Sequence, residues 1–198
     1  TPTVHLSSQS GNKLKFNEKI NAFIPNQPRQ NESTVGAANG SFTLKKSLEE
    51  GFNKGFELSN KITKKNIKIT IPSSNERSND EHNKFWCMPL PKNKHYKRCV
   101  DFQNDVFVSD IELAIREGFR SIEHVKRYTT LGMATDQGKT SNLNGLQLVS
   151  SIEKKIIPEV GHTTFRPPYT PVTIGAIVGR EVGKHYRPTR KSPMHLWH

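Results

Sequence analysis

Leu44, Leu48, Phe52 and Phe56 recur every four residues, a spacing that lays them along one helical face and predicts a helix over about residues 42–59. Ahead of it the apolar runs are shorter: Thr3-Val4-His5-Leu6, Leu14-Lys15-Phe16 and Asn21-Ala22-Phe23-Ile24-Pro25, divided by Gly, Asn and Pro. These predict short strands rather than a helix. Residues 60 to 84 are mostly Lys, Asn, Ser and Asp, with one alternation at Ile67-Lys68-Ile69-Thr70-Ile71, and read as a linker.

Phe85-Trp86-Cys87-Met88-Pro89-Leu90-Pro91 opens a second unit, and Cys99-Val100-Asp101-Phe102 reads as a strand. Three helices then follow from 3.6-residue periodicity. The first carries Ile111, Ala114 and Ile115 inward, starts at a capping box formed by Ser109 and Glu112, and stops at Gly118. The second, opened by Ser121, carries Ile122, Val125 and Thr129 and stops at Gly132. The third begins near Thr140 or Ser141 and spaces Leu143, Leu146, Val149 and Ile152 helically. From Pro158 onward the chain is proline-rich and β-branched, which predicts extended segments.

Composition adjusts this picture in three ways. At 198 residues the chain can bury one moderate core or two small ones. No run approaches the roughly 18 apolar residues that span a bilayer, and no leader pattern is present, so a soluble cytoplasmic protein with no membrane association is expected. A start at Thr1 and a stop at Trp197-His198 suggest a piece of a larger polypeptide. Cys87 and Cys99 are too few for a disulfide framework and are expected as free thiols. The net charge of +12 raises nucleic-acid binding as a possibility, but Lys, Asn and Ile recur throughout and the charge is read mainly as solvated surface. The histidines are scattered without metal-site spacing, and no nucleophile, base and orienter can be assembled.

Two local motifs could hold a phosphate. Gly36-Ala37-Ala38-Asn39-Gly40 lies between a strand-like Ser33-Thr34-Val35 and the first helix, the layout in which a glycine turn lets a pyrophosphate approach backbone amides. The plain alternative is a turn whose glycines serve backbone geometry. Gly138-Lys139-Thr140-Ser141 resembles the end of a Walker A loop, yet Met133 stands where that motif's first glycine belongs and no strand precedes it. What remains is a helix N-terminus with one Lys and two hydroxyls, suited either to one phosphate or to ordinary capping.

Three stretches in one order carry a family resemblance: Val100-Asp101-Phe102-Gln103-Asn104-Asp105-Val106, the run from His124 to Asn142, and Thr163-Thr164-Phe165-Arg166-Pro167-Pro168-Tyr169-Thr170-Pro171. They resemble the alpha subunit of heterotetrameric sarcosine oxidase. The resemblance implies an α+β chain: residues 1–60 as the C-terminal part of a Rossmann-like NAD-binding domain, 61–98 a linker, 99–157 a small three-helix module, and 158–198 an extended Pro-rich tail leading to a folate-binding domain. It implies NAD contacts at Gly36, Ala37, Ala38, Gly40 and Phe42, with Ala37 standing where flavin-binding members of such folds carry an Asp. It implies an FMN shared with the beta subunit, its phosphate near Lys139, Thr140 and Ser141, with FAD and tetrahydrofolate elsewhere in a complex with beta, gamma and delta subunits. The three-helix module is also similar to iron–sulfur modules of the bacterioferritin-associated ferredoxin type. Their four cysteine positions fall here on Asp101, Gln103, Asp136 and Ser141, so no iron–sulfur cluster is expected.

The activity so implied is oxidation of sarcosine with tetrahydrofolate and oxygen to glycine, methylenetetrahydrofolate and hydrogen peroxide. The chain itself would be scaffold and cofactor holder, inactive alone. Two alternatives stand beside it: the alpha subunit of a related amine or amino-acid dehydrogenase, and a basic module binding nucleic acid through Lys61 to Lys68 and Arg187 to Lys191.

Overall fold

The computed structural model describes residues 1–64, 70–72, 74–75, 84–91, 96–183 and 190–197. The Ile67-Lys68-Ile69 alternation and parts of both basic runs lie outside the described residues. Residues Thr1–Arg166 form one compact unit and Pro167–His198 a second, smaller one.

Unit 1 opens with a five-residue helix, α1 (His5–Gln9), where the sequence predicts a strand. Its ladder runs from Ser8 N to Val4 O and from Ser10 N to Leu6 O, both 3.0 Å. Only Val4 and Ser7, three residues apart, point inward, while Leu6 is exposed. A four-residue apolar run is too short to display a period, which is why its helical state is hidden. β1 (Leu14–Asn17) and β2 (Ala22–Pro25) are the short strands expected there, and they pair antiparallel with Phe16 opposite Phe23. Val35 has extended backbone but joins no ladder, so the strand expected before the glycine turn is absent there. Gly36–Asn39 forms a short 3-10 turn, and α2 (Leu44–Thr63) follows, capped by Thr43 accepting from Lys46 N at 3.3 Å.

The core belongs to the second half of the unit. β3 (Cys99–Asp101) and β4 (Val106–Phe107) make a small antiparallel hairpin that runs directly into α3 (Val108–Arg116). The expected capping box is displaced: the helix starts at Val108, and Asp110, not Glu112, reaches back to accept from Phe107 N at 2.8 Å. Burial of Val106 and Val108 draws the start toward the core and leaves Ser109 inside the first turn. α4 (Ile122–Thr129) and α5 (Asn142–Glu153) complete the three-helix arrangement. Val100, Ile111, Ala114, Val125, Leu131, Leu146 and Val149 meet in one cluster. Burying each large aliphatic side chain stabilises the fold by about 1.5–3 kcal/mol. Ile152 is exposed, because the inward arc of α5 passes through Gly145, Leu146, Val149 and Ser150 instead.

α6 (Ile157–Val160) replaces part of the expected extended tail; Pro158 fits its first turn, where no amide partner is needed. The chain then returns to the N-terminal hairpin. Phe23 meets His162 edge-on at 5.4 Å between ring centres, and His162 stacks over Phe165 at 6.1 Å. Thr164 N donates to Glu123 Oε1 at 2.5 Å, tying the same stretch to α4. Unit 2 holds α7 (Ile174–Val178), capped by Thr173, and a 3-10 turn at His195–Trp197, so it too is not wholly extended.

The mixture of α and β expected from the sequence is present. Among the described residues both sheets are two-stranded and antiparallel.

Candidate functional site

Asp101 lies at the end of β3, where the register with β4 shifts and turns its side chain inward. It is 1% exposed. Such a carboxylate needs donors, since burying a charge without them is costly. Three are supplied. Oδ1 accepts from Gln103 N at 3.0 Å. Oδ2 accepts from Gly132 N at 2.7 Å and from Ser141 Oγ at 3.1 Å. Ser141 is fully buried and immediately precedes α5. One side chain thus joins β3, the loop after α4 and the start of α5.

Between those anchors the loop from Gly132 to Ser141 is folded on a second carboxylate. Asp136 accepts from Gly138 N at 3.1 Å, Thr140 N at 3.3 Å and Thr140 Oγ1 at 2.9 Å. Burial alone would raise its pKa, but these donors and the nearby Lys139 charge outweigh it and hold the carboxyl below its ordinary value. Asn142 fills the hollow beneath, donating to Gln137 O at 3.3 Å and Thr163 Oγ1 at 3.1 Å. It lies so close that a Cβ on either Gly132 or Gly138 would collide with its amide, and both glycines have positive φ. Only glycine satisfies space and backbone there.

This geometry redefines the expected phosphate contacts. Ser141 points into the protein with its hydroxyl engaged by Asp101, and so does not face an outside phosphate. Thr140 is exposed, but its amide and hydroxyl are held by Asp136. Lys139 is exposed on the loop, with its amide bonded to Asp136 O at 3.2 Å. Of the four positions where the ferredoxin-type resemblance places cysteines, Asp101 and Ser141 are brought into direct contact. Gln103 contributes its amide to the same carboxylate, and Asp136 serves its own turn.

At the other motif, Gly36 N donates to Glu50 Oε2 at 2.8 Å, and Ser41 Oγ bonds the same carboxylate. Gly40 N and Ser41 N are taken by Ala37 O and Gly36 O, each at 3.1 Å. An anion from α2 therefore holds the amide where a pyrophosphate was expected. Ala37 is exposed, and Ala38 and Gly40 are half-buried. Beside the turn is a cavity of about 290 Å3 lined by Ser7, Asn12, Glu32, Thr34, Asn39 and Lys54 among others, and Phe42 borders a smaller one of about 200 Å3.

Sequence reasoning missed Glu50, Asn142 and the role of Asp101 as an acceptor. An acid seven residues into a helix carries no signal of a bond to the preceding turn. Asp101 did carry one, as an acid within a strand-like run. Cys87 and Cys99 are free thiols, with Arg98 Nη1 3.6 Å from Cys87 Sγ. Among the described residues no group of three or more His, Cys, Asp or Glu could hold a metal ion, and no helix is long and apolar enough to cross a membrane.

Residues 95–180 match the family described as the sarcosine oxidase A3 domain. The chain is 38% identical over 197 residues to the sarcosine oxidase subunit alpha of Rhizobium meliloti (strain 1021), covering 99% of this chain and 20% of that one. It is 35% identical over 202 residues to the sarcosine oxidase subunit alpha of Corynebacterium sp. (strain P-1), covering 100% and 21%. It therefore spans about a fifth of the length of these curated relatives. Among solved structures it is similar to L-proline dehydrogenase from P. horikoshii, with a TM-score of 0.64 and 20% identity over 88% of this chain and 36% of that one. That likeness concerns the fold.

Proposed function

The chain is homologous along its whole length to the alpha subunit of sarcosine oxidase, and from that premise we propose that it is a scaffold and cofactor-holding segment of such an oxidoreductase. The parent reaction is the oxidation of sarcosine with tetrahydrofolate and oxygen, carried out with beta, gamma and delta subunits, FAD and tetrahydrofolate lying in other parts of the complex. Its own contribution is positional. Asp101 fixes both ends of the Gly132–Ser141 loop and Asp136 fixes its middle, so the loop keeps one shape and presents Lys139 at a defined place.

The donor set narrows the cofactor reading. For the phosphate of an FMN shared with the beta subunit, Lys139 is the contact that fits. A single ammonium supplies charge attraction to a dianion. For NAD, a pyrophosphate does not fit on the Gly36 amide while Glu50 occupies it; exposed Ala37, half-buried Ala38 and Gly40, Phe42 and the cavity beside Asn39 are the surfaces toward that cofactor.

The observation that carries this reading is the fixed Gly132–Ser141 loop within a chain 38% identical to a sarcosine oxidase alpha subunit. The test is Lys139→Glu in the purified complex, with flavin content read by absorbance and sarcosine-dependent peroxide release measured alongside. Lower FMN occupancy is expected, because a like charge replaces an attractive one. Equal occupancy removes Lys139 from the site, and a wild-type complex that oxidises another amine but not sarcosine points to a related dehydrogenase instead.

A further inference from the structure

α2 carries an apolar face that the described residues leave uncovered. At 100° per residue, Leu44, Gly51, Gly55, Leu58 and Ile62 fall within about 60° of one another and run about 27 Å along the helix. Leu44, Leu58 and Ile62 are 58%, 45% and 81% exposed. Phe52 and Phe56, turned further round, are half-buried. The described fold therefore uses one flank of the helix and leaves the stripe open.

The two glycines sharpen this. Each mid-helix glycine costs about 1 kcal/mol relative to alanine. A Cβ added at Gly51 or Gly55 meets nothing within 4 Å. Neither has a positive φ. Nothing within the described fold requires their small size, whereas a surface approaching closely at mid-helix would: glycines four apart on one face let two backbones come nearer than the usual 8–10 Å between helix axes.

We propose that this stripe of α2 seats a helix from the part of the alpha-subunit polypeptide that lies outside this sequence, an apolar helix with acidic flanks packed against Gly51 and Gly55. Three observations select that occupant. The matched relatives carry about four-fifths of their length outside the aligned region. A second copy is disfavoured, since each chain has a net charge of +12 and like-charged copies repel. The same net charge favours acidic flanks on the partner, and Lys54 and Lys61 border the stripe while sharing the one carboxylate of Glu57.

The proposal rests on the reading of this chain as part of a sarcosine oxidase-type alpha subunit, and the experiment separates the two. Leu58→Cys is introduced both into this chain and into the full alpha subunit purified in its complex, and maleimide labelling of the peptide carrying residue 58 is followed by mass spectrometry. Labelling at least tenfold slower in the complex is expected; equal rates overturn the proposal. Slowed labelling of this chain alone, rising with its concentration, assigns the face to a second copy and also overturns it. Gly55→Leu supplies the second readout. It should leave the melting temperature of this chain unchanged or higher, yet reduce the yield of assembled complex severalfold; assembly at wild-type yield overturns the close approach. Sarcosine oxidation by the wild-type complex is scored separately, so an inactive complex with a protected residue 58 rejects the functional reading and keeps the docking.

Discussion

Replacing Asp101 by Ala should be the most damaging single polar truncation in unit 1. The change removes both carboxylate oxygens and strands two buried donors, Gly132 N and Ser141 Oγ. Gln103 is exposed, so its amide can regain water. A buried donor left unsatisfied costs about 1–3 kcal/mol, and two give about 2–6 kcal/mol, centred near ~4. A small domain has about 5–15 kcal/mol of total stability. With a urea dependence of ~2 kcal/mol per molar, the midpoint should fall by about 2 M. Urea titration followed by far-UV circular dichroism measures this directly. Asp101→Asn keeps one acceptor and should lie between, while Gln103→Ala, which retains the backbone donor, should shift the midpoint by less than about 0.3 M. A double-mutant cycle with Ser141→Ala should give a coupling of about 0.5–3 kcal/mol, as for residues sharing one bond. If Asp101→Ala unfolds within about 0.3 M of wild type, the carboxylate is not the junction described above.

Gly132→Ala should cost more than the roughly 1–2 kcal/mol of left-handed backbone strain, because its Cβ would collide with Asn142 and sit 3.1 Å from Gly138 Cα. Gly118→Ala, with positive φ but open space, should cost the strain alone. Thermal melts compare the two, and Asn142→Ala should partly rescue only the first. At Glu123, burial pushes the carboxyl up, but the Thr164 amide together with Lys126 and Arg127 outweighs it and leaves the pKa below the usual 4.5. A depressed acid contributes stability above its unfolded value, lost progressively as pH falls from there through the folded value. Amide exchange at Thr164, corrected for intrinsic rates, should therefore speed up on acidification below about pH 4.5, and Glu123→Gln should flatten that dependence. An unchanged pH profile in the variant would disconnect Glu123 from the segment.

The helices around the core were legible because their periods are long enough to count. Ile111, Ala114, Ile115, Ile122, Val125, Leu146 and Val149 all turn inward as spacing predicts. α1 and α7 span five residues each, too few for a period. The start of α3 is displaced because Asp110 and Glu112 both qualify as the acid that reaches back to the N-cap, and the burial of Val106 and Val108 decides between them. The same ambiguity governs Ser141. A hydroxyl before a helix looks identical in sequence whether it meets solvent or a buried acid, and Asp101 lies 40 residues away. The Gly36 turn was visible as a turn, but its anion, Glu50, becomes its neighbour only once α2 has formed.

The ring contact between Phe23 and His162 bears on how the chain is made. A contact between the first hairpin and a segment just before residue 166 closes a loop that takes in nearly the whole of unit 1, and such closures come late because the loop entropy is lost before the non-local contact can offset it. During synthesis the hairpin precedes its aromatic partner at 162, which is then still untranslated. Before then Phe23 has Phe16, 5.3 Å away, and the core cluster of residues 100–149 to pack against, but not the His162 ring. The aromatic clasp thus makes translation past residue 162 the event that adds the last ring over Phe23, and a stall before it leaves that side of the hairpin open.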